Sequence, residues 1–216
     1  MTQPDDLMLA SGMLSLALWT LAYLLIIRRG QLDRTYGMPF VALCPNLAYE
    51  LTYGLIEPNV PPLHIVNIVW FVVDLVIAAQ YLRFGRRELS PLVPGWLFVP
   101  RFLLITGLWV LAALALTRDL GLQVGNSYLG WGCQIILGGA YLFMLTSRPG
   151  VEGQSLYIAL ARFLGSLAVI PAQEVEAPGL KVIWTMYATF IILDITYITL
   201  YIRRCRMIGI DPWRRV

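Results

Sequence analysis

The stretch MPFVALCPNLAYELTYGLI, residues 38–56, is apolar or aromatic almost throughout, yet Glu50 sits inside it. If this run crosses a bilayer, an ionised carboxylate there costs about 2.5–3.5 kcal/mol even on lenient insertion scales. Such a residue either pairs inside the protein or takes part in chemistry. The first question is therefore whether the chain lives in a membrane, and the second is which polar groups share its interior.

Composition answers the first. The 216 residues are 58% hydrophobic and 13% charged, with mean hydropathy +0.70. Soluble domains carry about 25% charged residues, so the sequence predicts an all-α integral membrane protein forming a single domain, 1–216. A helical span needs about 20 mainly apolar residues. Seven segments meet or approach that length, at about 7–27, 38–57, 65–84, 96–117, 127–146, 154–171 and 181–202. The connections are Pro/Gly-rich or charged, among them EPNVPPLH, RFGRRELSPLVPG, TRDLGLQVGN and PAQEVEAPG. Span one is too long for a signal-peptide core and has no basic residue before it, so it is expected to be retained. Span six is the weakest, because Arg162 interrupts it, and a six-span arrangement is the alternative.

The basic residues set an orientation. With seven spans, Arg28, Arg29, Arg34, Arg83, Arg86, Arg87, Arg148, Arg203, Arg204, Arg206, Arg214 and Arg215 share one side, against Arg118 and Lys181 on the other. The positive-inside rule then places the N-terminus outside and the C-terminus in the cytoplasm. The net charge of +3 is thus a topology signal and not a nucleic-acid patch. A weak repeat accompanies it. DLVIAAQYLR (74–83) and DITYITLYIR (194–203) share Asp, six residues, Tyr, an aliphatic residue and Arg. A 3+1+3 pseudo-repeat of parallel halves would produce this, and so would chance likeness of two amphipathic helix ends. Cys44, Cys133 and Cys205 are far apart and read as buried thiols.

Helical spacing sorts the interior polar groups into stripes. Span two aligns Asn46, Glu50, Tyr53 and Glu57. Span three aligns Asn67, Trp70, Asp74 and Tyr81. Span seven aligns Tyr187, Phe190, Asp194, Tyr197 and Tyr201. Lipid is expected to face none of these stripes. Each acid also has a structural reading. Asp74 in particular is placed to brace a neighbouring helix or to pair with Arg101 or Arg162. Glu57 and His64 read as interfacial residues.

The sequence lacks a phosphate-loop lysine motif, HExxH, a nucleophile elbow, paired-cysteine zinc spacing and the Asp-rich clusters that hold magnesium on a prenyl diphosphate. No metal ligand set and no cofactor are expected. What remains is intramembrane carboxyl groups and aromatic faces. Aromatic rings stabilise a passing cation by about 0.5–2 kcal/mol per contact. A carboxylic acid can protonate an apolar substrate, and a second carboxylate can steady the cation or accept the final proton. The denser aromatic stripe around Asp194 makes it the expected initiating acid, with Glu50 in the second role.

These residues carry a resemblance. With seven expected spans, YELTYG around Glu50, WFVVDLVI around Asp74 and an aspartate in the last span, the chain resembles the small membrane-bound terpene cyclases of the paxilline and pyripyropene pathways. It is similar also to their bacterial relatives that act on prenylated indole alkaloids. The resemblance covers most of the chain through short, loose motifs. It implies essential roles for the residues matching Glu50 and Asp194. It also implies protonation of an alkene or epoxide on a prenyl chain already joined to an acceptor, followed by cyclisation with no diphosphate lost. The expected partner is an apolar prenylated small molecule, a farnesylated indole for preference, in a bacterial plasma membrane. The pocket is expected to include Asp74, Asn46, Tyr53, Asn67, Trp70, Tyr187, Phe190 and Tyr197. No sequence feature reads out the oligomeric state. The competing class is a small PQ-loop-like transporter, for which Pro45–Asn46 is a partial match.

Overall fold

Proline and glycine punctuate the helices. In the computed structural model, which describes residues 4–61, 63–88, 94–176 and 179–216, the chain forms α1 (Pro4–Leu32), α2 (Phe40–Leu51), α3 (Leu63–Phe84), α4 (Phe98–Leu120), α5 (Leu122–Ser147), α6 (Leu156–Glu176) and α7 (Lys181–Met207). There is no strand among the described residues. Residues 62, 89–93 and 177–178 of the expected connections lie outside the described residues.

Among the described residues, six helices are long and apolar enough to cross a membrane. The one that falls short is not α6, as Arg162 had suggested, but the second. Phe40–Ile56 is a shorter apolar helix. It spans about 25 Å at 1.5 Å per residue. It also changes pitch, because Thr52–Ile56 is a π-turn closed by Glu57 N–H on the Thr52 carbonyl at 2.8 Å. Single π-turns of this kind gather at functional sites. Arg162 does not weaken α6 because its side chain is wholly buried against a partner on α7.

The connection expected between spans four and five is nearly all helix. Only Gly121 separates α4 from α5, at φ 81°, ψ 160°. That conformation is essentially closed to residues with a Cβ. Its N–H caps α4 on the Thr117 carbonyl at 2.9 Å. The charged residues of TRDLGLQVGN misled the expectation, since a one-glycine break leaves no loop to be polar.

Side-chain bonds show that the helices run alternately up and down. At the basic end, Asp33 after α1 accepts from Arg29, from Arg215 beyond α7 and from the Gly153 N–H before α6. Arg148, after α5, bonds Glu88, after α3, at 2.9 Å. At the opposite end Tyr53 meets Thr117, Gln173 meets Ser127, and Tyr187 meets Glu174. The α1 helix packs along α6, α2 against α3, α4 and α5, α5 against α4 and α7, α1 against α3, and α6 against α7. Of the six spans α5 is the most buried and α4 the least. On α4, Leu103, Leu104, Leu108 and Leu111 are exposed, as a lipid-facing helix requires.

The cluster at the basic end makes stability depend on pH. Burial opposes the charge on Asp33, but the hydrogen bonds from Arg29 and Gly153 and the charges of Arg215 and Arg29 outweigh it, holding the carboxyl below its ordinary value. A depressed carboxyl contributes stability above its unfolded pKa and loses it as pH falls through the folded one. The detergent-solubilised protein is expected to lose this contribution as pH falls below about 4. At pH 7, Asp33→Asn should lower the melting temperature by several degrees, and the gap should narrow at acid pH. A gap that stays constant from pH 7 to pH 3 would contradict the assignment. Separately, Gly121→Ala should destabilise by about 1–3 kcal/mol, whereas Gly107→Ala, with no heavy atom near its added Cβ, should be neutral in the same melting assay.

Candidate active site

A cavity of about 290 Å³ lies among α1, α2, α3, α5 and α6. Its wall includes Trp19 and Tyr23 of α1, Asn46, Tyr49 and Glu50 of α2, Trp70 of α3, Trp131, Cys133 and Gln134 of α5, and Ser166 of α6. On α5 the lining positions Asn126, Gly130, Gln134 and Leu137 recur at four and three residues, the period of a single helix face. The carbon-rich wall suits an apolar ligand, and its polar groups gather at two levels, Asn46, Glu50 and Gln134 in the middle of the bundle and Asn126, Ser127 and Gln173 where α5 starts and α6 closes.

Glu50 is buried and belongs to a network that crosses three helices. Tyr23 donates to Glu50 Oε1 at 2.7 Å, and Asn46 Nδ2 donates to the Tyr23 hydroxyl at 2.6 Å. The same Asn46 nitrogen reaches Glu50 Oε1 at 3.2 Å and Asp74 Oδ2 at 2.7 Å. The two carboxyls lie within hydrogen-bond reach of each other, and neither Glu50 Oε2 nor Asp74 Oδ1, both buried, accepts from any other group. None of the ion pairs among the described residues involves either carboxyl. Asp74 therefore pairs with neither Arg101 nor Arg162. Arg101 instead donates to the Tyr81 hydroxyl and lies over the Phe40 ring.

Asp194 lives in a different electrostatic setting. Arg162, fully buried, donates to Asp194 Oδ1 at 2.9 Å, and Gln134 Nε2 donates to Oδ2 at 3.2 Å. The guanidinium also lies 4.3 Å from the centroid of the Tyr141 ring, which it faces. Gly138 lets α7 approach, since an added Cβ there would meet Leu193 Cβ at 3.1 Å and Asp194 Oδ1 at 3.3 Å. Asp194 does not line the cavity. Gln134 stands between them, with its Oε1 buried and unpartnered. Asp194, expected as the initiating acid, thus faces the buried guanidinium of Arg162 and is set back from the cavity behind Gln134.

Of the expected pocket residues, Asn46 and Trp70 line the cavity beside Glu50, and Asp74 sits directly behind Asn46. The Trp70 indole is aimed by its N–H on the Thr20 hydroxyl at 3.1 Å. Tyr53 turns away, towards Thr117 at 3.1 Å. Asn67 is buried beside Gly54, where the π-turn after α2 meets α3. Tyr187 and Phe190 form a second layer, packing on Trp131 at centroid distances of 4.5 and 5.2 Å. Tyr197 is further away still, with Tyr141 and Gln154. The reason is common to the last three: α5 lies between α7 and the cavity. The reading of spans two, three and seven overlooked Tyr23, Trp131 and Gln134. A lone glutamine in the apolar run 127–146 was the available signal for α5.

The chain matches the model of the Pyr4-like transmembrane terpene cyclases over residues 5–207, and it belongs to that family. It is 35% identical to the Pyr4-family terpene cyclase mfmH of Annulohypoxylon moriforme over 76% of this chain and 66% of that protein. It is 30% identical to terpene cyclase dpmaB of Metarhizium anisopliae, over 86% and 82% of the two chains. With Asnovolin H synthase nvfL of Aspergillus novofumigatus it shares 28% identity over 83% and 78%. The chain thus spans just under two thirds of mfmH and more of the other two. These relatives are fungal and lend no support to a bacterial source or an indole acceptor. Membership sets the transporter alternative aside. No solved structure matches.

The Arg162–Asp194 pair gives a stability test. Asp194→Asn leaves a buried guanidinium uncompensated, a loss of about 3–5 kcal/mol. The double variant Arg162→Leu/Asp194→Leu should recover most of that, as judged by melting in detergent. A double variant no more stable than either single one would remove the ion pair as the cause.

Proposed function

We propose that the protein cyclises a prenyl chain already joined to an acceptor, with Glu50 as the initiating acid and the Asp194–Gln134 pair stabilising the cation. The carrying observation is the contrast between the two buried carboxyls. Glu50 lines the cavity with no cation partner, and a buried carboxyl without one is cheapest as the neutral acid. Asp194 is ion-paired and set back.

The steps follow from the placement of these groups. The substrate's terminal alkene, or its epoxide oxygen, takes the proton from Glu50. The carboxylate left behind is steadied by the Tyr23 hydroxyl and the Asn46 amide, and Asp74 shares that amide. Positive charge on carbon then moves along the chain as rings close. It passes Trp19, Trp70 and Trp131, whose ring faces attract it. Gln134 commits its amide nitrogen to Asp194 and leaves Oε1 free, so the aspartate acts on the cation through an oriented carbonyl dipole. The last proton returns to the Glu50–Asp74 pair, which resets the enzyme and leaves a product isomeric with the substrate. No step releases diphosphate.

The family and its named cyclases support this reading, as does the apolar cavity. A bilayer bundle of seven spans in a 3+1+3 pseudo-repeat fits it as well. Exchanging α1 with α5, α2 with α6 and α3 with α7 turns the pairs α1–α6, α1–α3 and α2–α3 into α2–α5, α5–α7 and α6–α7, all of which occur. The clustering of arginines at the ends of α1, α3, α5 and α7 favours that end as cytoplasmic. A farnesylated indole is the acceptor-bearing substrate first to be tried.

In D₂O the wild-type enzyme should place one deuterium at the protonated terminus of the product. Glu50→Gln keeps the shape but has no acid to give, so turnover should fall by about 10²–10⁴-fold. Stable Arg162→Leu/Asp194→Leu enzyme, if it turns over at all, should still incorporate deuterium while releasing prematurely deprotonated, partly cyclised products. Near-wild-type turnover by Glu50→Gln would sink the assignment of the acid.

A further inference from the structure

The cavity is polar at both ends, and only the inner end is used above. Its outer end, at the start of α5 and the close of α6, is bordered by Asn126, Ser127 and Gln173, with Leu9, Met13, Leu63 and Val66 of α1 and α3 opposite. Two of the polar groups are already satisfied. Gln173 Nε2 donates to the Ser127 hydroxyl at 2.7 Å, and that hydroxyl donates to the Gln123 carbonyl at 2.8 Å. Asn126 differs: it is 8% exposed and lines the cavity, yet its Oδ1 has no hydrogen-bond partner. A buried amide oxygen left unpaired costs about 1–3 kcal/mol. Within a cavity, that deficit is a request for a donor.

We infer that Asn126 is the recognition point for the acceptor end of the substrate, which must carry a neutral N–H or O–H donor. This rests on the cyclase reading for what occupies the inner end. Geometry fixes the order of entry. Asn126 and Gln134 share a face of α5 eight residues apart, about 12 Å along the axis. The polar head is held at Asn126 while the chain terminus reaches down to Glu50 and Gln134. A ligand inserted the other way would put its polar head among the tryptophans and leave its apolar tail against Asn126. The class of molecule so defined is a prenylated aromatic or amide with a free donor on its ring or amide, presented chain first. Alkylating that donor removes the bond and leaves Asn126 unpaired.

The test separates binding from turnover. Trp19, Trp70 and Trp131 line the cavity, so ligand entry is read from tryptophan fluorescence in nanodiscs. The probes are farnesylindole and its N-methyl derivative, and a farnesylated phenol and its O-methyl ether, each with the chain hydrogenated so that no turnover occurs. Wild-type protein should bind at least one donor-bearing probe about tenfold or more tightly than its methylated partner. Asn126→Leu should bind both members at the weaker affinity. The inference is overturned if wild-type affinities within both pairs agree to about twofold, or if Asn126→Leu keeps the preference. The wild-type comparison needs no variant to fold. With unsaturated probes the two readings come apart. Protein that discriminates the heads but makes no cyclic product refutes the cyclase and leaves the head site standing. Protein that cyclises both members with equal KM refutes the head site alone.

Discussion

The centre of the bundle depends on one buried ion pair, Arg162 with Asp194. In hydrocarbon neither charge has water to fall back on, so each must find its partner inside the protein. The pair joins α6 to α7, and the Gln134 bond to Asp194 adds α5. Tyr141 closes the remaining side with its ring face and donates its own hydroxyl proton to the Gly37 carbonyl, tying in the segment before α2. Removing either charge would leave the other stranded, which is why a residue that looks like an interruption of α6 is instead its anchor. The same pair decides the orientation of Gln134, and with it the only part of this cluster that meets the cavity.

From that anchor the layering follows. The α5 helix is the most buried span, with α7 behind it and the cavity in front. Glycine at position 138 brings α7 close enough for Asp194 to reach Gln134 and Arg162. The aromatic residues of α7 thereby back the wall without forming it. Tyr187 and Phe190 hold Trp131, and Trp131 meets the cavity. A rigid second layer would serve the proposed carbocation reaction, because a ring that could tilt would let the cation relax to the wrong carbon before the next ring closed.

Much of this was legible in the sequence, and the boundary between what was and was not is physical. Regular spacing of three and four residues marked Glu50, Asp74 and Asp194 as interior. Composition gave the membrane class, and short motifs around Glu50 and Asp74 pointed to the family. Spacing reports which face of a helix is buried but not what lies across from it, so it could not tell the first layer from the second. Tyr23, Trp131 and Gln134 were missed because each stands in an apolar run without forming a stripe of its own. Arg162 was visible, but its sign of effect depends on a partner on another helix. Gly121 hid a turn that needs no polar loop, and the π-turn after Glu50 has no signature beyond a threonine and a glycine.

The two carboxyls near mid-bundle show how environment assigns roles to like groups. Glu50 and Asp194 are both buried, both hydrogen-bonded by an amide nitrogen, and both served by neighbouring aromatics. A guanidinium beside one and none beside the other makes the difference. The paired group lies behind Gln134, whose amide it orients and whose side chain meets the cavity. In the mechanism we propose, the unpaired group, bonded by Tyr23 and Asn46 with Asp74 on the same amide, is the one that changes protonation state. In the proposed reaction this separation would keep the acid away from the arginine and the aspartate away from the cation, which it could otherwise capture as an ester. A single carboxylate in the cavity could not do both jobs, since the proximity that lets it deliver a proton also lets it trap what the proton creates.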